Sequence, residues 1–72
     1  MKKKIDIYLP SAVYSERLID RAISDYRSIC NIVKKKQRNG TICVFSKSLT
    51  DLELTVCEFS NYLIELSNHG EL

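Results

Sequence analysis

Few residues in this chain could do chemistry, and their spacing argues against catalysis. His69 is the only histidine among the 72 residues; it lies beyond the last apolar helical position, and no serine pairs with it in a recognisable catalytic context. Cys30, Cys43 and Cys57 form an odd set without a Cys-x-x-Cys pair, which argues against a disulfide framework or a zinc site. Each stands among apolar neighbours and reads as a buried free thiol, the state that a reducing cytosol maintains. A reactive thiol needs a neighbouring base, and nothing in the sequence places one there. Only two glycines are present, one of them beside a turn, so no phosphate-cradling loop can be built. Asp51, Glu53 and Glu58 fall on a solvated helical face instead of converging on a pocket. The expectation is therefore a protein without catalytic residues, metal or cofactor that works by binding another macromolecule.

The elements that carry these residues are legible from period and punctuation. Ile5, Ile7 and Leu9 alternate with Asp6 and Tyr8 as a half-buried strand would, and Pro10 stops the run. Ser15 is a good N-cap for a following helix, with Glu16 in its first turn. Leu18, Ile19, Ala22, Ile23 and Tyr26 form one apolar stripe, while Arg17, Asp20, Arg21, Ser24 and Asp25 form the opposite face. Residues 29–37 and 41–47 flank Asn39-Gly40, the dipeptide of a type I′ hairpin turn, in which both positions need φ > 0. A turn centred there sets Lys36 opposite Cys43 and Lys34 opposite Phe45. One hairpin face then holds Val33, Ile42 and Val44, and the other Cys30, Ile32, Cys43 and Phe45. Residues 48–68 read as a second helix, capped by Thr50 with Glu53 completing a capping box. Its stripe is Leu52, Val56, Phe59, Leu63 and Leu66, and Gly70 would end it.

The order βαββα predicts an α+β two-layer sandwich formed by residues 1–72 as one domain. It has a three-stranded sheet with two helices on one face, a truncated ferredoxin-like arrangement. A chain of this length buries only about 60% of its unfolded surface, so the core is small. The position of the missing last strand leaves the edge of the first strand open as a template for another strand. Apolar residues on both hairpin faces exceed what a single helical layer can cover.

Charge is distributed unevenly. All eleven Lys and Arg residues lie between Lys2 and Lys47, and five acids with no basic residue follow from Ser48 onward. Such asymmetry either solvates two faces or steers a partner. Lys34, Lys35, Lys36 and Arg38 form a basic patch at the hairpin tip, but the parallel first and second strands place Lys2, Lys3 and Lys4 at the opposite end. The two clusters do not join into the continuous footprint that phosphate binding requires, and only Tyr8 and Phe45 offer stacking surfaces. Nucleic acid is accordingly a minor candidate partner. No signal peptide is expected, because Asp6 and Pro10 break the apolar run after the lysines, and no segment is long enough to span a membrane. The expected location is cytoplasmic.

Two stretches also resemble a known family. Tyr14-Ser15-Glu16-Arg17-Leu18-Ile19, with Ala22 and Tyr26 beyond it, and Glu58-Phe59-Ser60-Asn61-Tyr62-Leu63 are similar to the HxsD-type proteins of His-Xaa-Ser peptide-maturation systems. The resemblance implies a small accessory protein that acts beside a radical-SAM peptide-modifying enzyme and binds either the precursor peptide or that maturation enzyme. It carries over no catalytic residue. On the physical reading the binding site would be Lys4, Ile5, Asp6, Ile7, Tyr8 and Leu9 along the first strand, with Phe45 beside them. A homodimer formed through the same edge is the competing expectation.

Overall fold

In the computed structural model, which describes residues 3–68, the chain forms β1 (Lys4–Pro10), α1 (Glu16–Tyr26), β2 (Asn31–Gln37), β3 (Gly40–Ser46) and α2 (Leu52–Asn68). The sheet order is β1-β3-β2, with both outer strands antiparallel to β3. β1 and β2 are therefore parallel and joined through α1, as a crossover on one face requires. Both helices pack on the face that presents Leu9, Cys43 and Phe45. The protein is thus the α+β, βαββα two-layer sandwich expected from its pattern. Lys2, His69 and Gly70 lie outside the described residues.

α1 begins where Ser15 ends extended backbone, its Oγ accepting from the Leu18 amide at 3.2 Å. Leu18, Ile19, Ala22 and Ile23 are all buried, so the apolar stripe is the face that packs. α2 starts later than its sequence pattern predicts. Residues 48–51 are not helical, and the cap is Asp51 instead of Thr50, with Asp51 Oδ1 accepting from the Leu54 amide at 3.0 Å. Thr50 is drawn away because its hydroxyl lies 2.9 Å from that of Thr55, which is buried at the foot of the helix. Thr55 Oγ1 also meets Ser48 Oγ at 2.8 Å and donates to the Asp51 carbonyl at 2.9 Å. This cluster satisfies a buried hydroxyl and leaves the shorter carboxylate cap to begin the helix.

The hairpin differs from expectation in a second way. Gln37 pairs with Gly40, Lys36 with Thr41 and Lys34 with Cys43, so the turn residues are Arg38 and Asn39. Lys47 is the one non-glycine residue with positive φ among the described residues, which rules out a type I′ turn. Gly40 is required for a different reason: a Cβ there would lie 2.5 Å from the Leu9 carbonyl oxygen and 2.8 Å from Cζ and Oη of Tyr8. The Tyr8 ring covers the glycine on the open face of the sheet, a device that offsets the packing a glycine lacks. The observed register moves each strand by one residue relative to the expected one. Two such steps preserve the side-chain period of two, so the composition of both faces survives the correction.

The core closes around Phe59 and Phe45. Their rings meet edge to face with centroids 4.9 Å apart, and Tyr26 approaches Phe59 at 5.5 Å. Phe45, Phe59, Ile19, Leu63, Thr55 and Cys43 are almost completely buried. Each large apolar side chain of this set contributes about 1.5–3 kcal/mol on burial, the main term opposing chain entropy in so short a domain. Between the helices, Tyr62 Oη donates to Asp25, so the helix pair is also fastened at its polar margin.

Candidate functional site

The outer edge of β1 is a candidate binding surface. β3 occupies one side of this strand, and among the described residues no strand occupies the other. Backbone groups along that side lack a ladder partner, which makes the edge receptive to an added strand. Its side chains divide by alternation. Ile5, Ile7 and Leu9 point towards the helices; Leu9 is buried, whereas Ile5 and Ile7 pack on the core and remain half-buried. Lys4, Asp6 and Tyr8 occupy the open face, where Tyr8 is 50% exposed. Ile5 and Ile7 are therefore covered by β3 on one flank and exposed on the flank where another strand would lie.

Phe45 does not belong to this surface. It is fully buried under α2 and lies opposite both Ile5 and Ile32 in the ladder. Its parity places it on the helix-covered face, so it cannot contact a partner. The surplus apolar residues are instead Tyr8, Val33, Ile42 and Val44, which share the open face, with Val33 directly opposite Val44.

The second free edge, along β2, is defended differently. It carries Lys34, Lys35 and Lys36 in succession, and consecutive lysines disfavour strand addition. The basic patch expected at the tip is also divided by alternation. Lys34 and Lys36 turn towards α1, where Lys34 Nζ donates to Asp20 at 2.5 Å and to Glu16 at 3.3 Å, and Lys36 Nζ donates to Glu16 at 2.7 Å. The stem of Lys34 lies beside Cys43 while its ammonium reaches out to the carboxylates. Its pKa is raised, first by the hydrogen bond it donates to Asp20, and the Glu16 carboxyl is held below its ordinary value by Lys36 and then Lys34. Lys35 points to the open face, and Arg38 sits in the turn. The four cations do not form one surface, and two of them are already neutralised.

The cysteines separate as well. Cys30 and Cys43 are buried free thiols, whereas Cys57 is exposed, contrary to the sequence expectation. Its apolar sequence neighbour Val56 lies on the packed face of α2, and a single helical step rotates the next side chain away from it. Burial pushes the Cys43 thiol up to about 11 and raises that of Cys30, so neither is a thiolate at neutral pH. Among the described residues, no three His, Cys, Asp or Glu side chains lie together as metal ligands. No described helix is long and apolar enough to cross a membrane.

A concavity of about 470 Å³ opens at the end of the sheet where β1 starts and β3 ends. Lys3, Lys4, Lys47, Asn31, Ser46 and Thr50 are among the residues that line it. Sequence reading grouped Lys3 and Lys4 but missed Lys47 and Asn31. These positions are remote along the chain and converge only because Ser46 pairs with Lys4 on one side and Asn31 on the other.

Fold and surface together define a small α+β sandwich whose β1 edge carries fewer charges than its β2 edge. No family model, curated protein or solved structure matches the chain.

Proposed function

We propose that this protein is a binding protein without chemistry of its own, and that it takes an extended segment of a partner as an added strand on β1. The observation that supports this most is the unpaired edge at Ile5–Leu9, which carries one charge, Asp6, and the half-buried Ile5 and Ile7. Strand addition supplies main-chain hydrogen bonds, and the partner's alternate side chains would complete the cover over the two isoleucines. The resemblance to HxsD-type proteins supplies the partner class: a precursor peptide or the radical-SAM enzyme that modifies it, in the cytoplasm. The buried free thiols Cys30 and Cys43 suit that compartment. The separation of Lys34 and Lys36 from Lys35 and Arg38 speaks against a phosphate-tracking surface.

Self-pairing of β1 is the competing use of the edge. An antiparallel pair centred on Ile7 sets Asp6 opposite Tyr8 and Lys4 opposite Pro10, so no like charges face each other across the two-fold axis. Hydrogen exchange separates these readings. In the free monomer the outward amides of residues 5–9 should exchange fast, and addition of the neighbouring precursor peptide or maturation enzyme should protect them. Protection that rises with protein concentration alone, together with a dimer on sizing, assigns the edge to a second copy. Unchanged exchange under all these conditions eliminates the β1 edge as the binding site.

A further inference from the structure

Topology and surface charge bear on the direction and chemistry of a strand added at β1. In the βαββαβ order, α2 would lead to a fourth strand parallel to β3 on the far side of β1. That position is antiparallel to β1, because β1 and β3 are antiparallel. A segment occupying it would end, at its C-terminal side, beside the start of β1. The sheet is electrostatically uneven along this axis. At the far end, residues 9–14 carry no charge, Lys36 is paired with Glu16, and Arg38 stands in the adjoining turn. At the near end lies the concavity of about 470 Å³, lined by Lys3, Lys4 and Lys47 together with Asn31, Ser46 and Thr50, and no carboxylate lines it. Lys3 lies 3.5 Å from Glu53 in an exposed pair, whereas neither Lys4 nor Lys47 has a carboxylate within ion-pair distance among the described residues.

Resting on the strand-addition reading above, we infer that the segment bound at β1 runs antiparallel to it and carries acidic residues or a free carboxylate at its C-terminal end, held by Lys3, Lys4 and Lys47. The backbone ladder provides attachment, and the three ammonium groups select direction, since a reversed segment would meet Arg38 in place of three lysines. The asparagine amide and the hydroxyls offer further donors to carboxylate oxygens. Asn31 Nδ2 donates to Ser46 Oγ at 3.2 Å and has a second N–H to offer.

Three synthetic eight-residue peptides with one alternating Val-Thr body test this by amide chemical-shift titration at millimolar concentration. One ends in Asp-Asp with a free carboxylate, one ends in Asn-Asn with an amide, and one carries Asp-Asp at its N-terminus instead. The inference expects all to shift residues 5–9, with the first binding about tenfold more tightly than the others. Its advantage should fall to less than about twofold in 0.5 M salt or in the triple variant Lys3→Gln, Lys4→Gln, Lys47→Gln. Equal binding of the three peptides overturns the inference and leaves strand addition standing. If acetate or the first peptide shifts residues 47–50 without moving residues 5–9, the concavity is a small-anion site and the inference is wrong. No shift at residues 5–9 with any peptide removes the strand reading and this inference together.

Discussion

Replacing Gly40 by alanine tests why β1 and β3 approach as they do. The added Cβ would stand 2.5 Å from the Leu9 carbonyl oxygen, where ordinary contact begins at 3.4 Å, and 2.8 Å from two atoms of the Tyr8 side chain. The tyrosine can swing into solvent, since it is 50% exposed. The carbonyl cannot, because it belongs to the β1 backbone that pairs with β3. Relief requires the strands to part near the Pro10–Gly40 pair, and overpacking of this kind costs about 1–3 kcal/mol. We expect the upper half of that range, because the closest atom is backbone. At about 4–8 °C per kcal/mol for a domain of this size, the melting temperature should fall by roughly 8–24 °C. Urea denaturation followed by far-ultraviolet circular dichroism measures the loss, with the slope unchanged if the denatured state is the same. Two companion variants separate close approach from turn geometry. Tyr8→Ala in the Gly40→Ala background should restore only part of the stability, because the carbonyl clash remains. Asn39→Ala should stay within about 0.5 kcal/mol of the parent, because Asn39 has no positive φ to maintain and its hydrogen bonds from Ser11 use the backbone carbonyl. A Gly40→Ala protein as stable as the parent, or one fully rescued by Tyr8→Ala, refutes the argument.

Other expectations follow from single contacts. Thr55→Val removes the hydroxyl shared by Ser48, Thr50 and the Asp51 carbonyl, and should cost about 1–3 kcal/mol in urea unfolding. Asp51→Ala should cost about 0.5–2 kcal/mol by the same assay through loss of the α2 cap, and an equal or larger loss from Thr50→Ala would return the cap to threonine. The Glu16 carboxyl should titrate below 4.5 by carbon-detected NMR and move up towards it in Lys36→Ala. Because its folded value is depressed, the stabilisation it contributes is present above about pH 4.5 and disappears as pH falls through the lowered value. Under native conditions at neutral pH, a bulky maleimide should add once, at Cys57, and three times after unfolding; rapid native modification of Cys43 would contradict its burial.

Period and punctuation made most of the fold legible. The cap at Ser15 and the stripe from Leu18 to Ile23 are local properties of α1, and the structure keeps both. The packed face of α2 was equally readable, since Leu52, Val56, Phe59, Leu63 and Leu66 all go inside. The misreadings arose where two local signals competed. Thr50 and Asp51 are both competent caps, and the buried hydroxyl of Thr55 decided between them. Asn39-Gly40 matches a turn motif, but the glycine serves a close approach from β1, thirty residues earlier in the chain. Cys57 was misplaced because sequence neighbours on a helix do not share a face.

By itself the sequence determined the order of elements, the one helix-covered face and the free position beside β1. These follow from side-chain period and from the crossover rule, which need no knowledge of packing. Only the tertiary structure decided which residues the site contains. It buried Phe45 beneath Phe59, turned Lys34 and Lys36 towards the acids of α1, and brought Lys47 and Asn31 to the start of β1. Each of these outcomes depends on strand register and on contacts between residues far apart in the chain, which local sequence patterns do not encode.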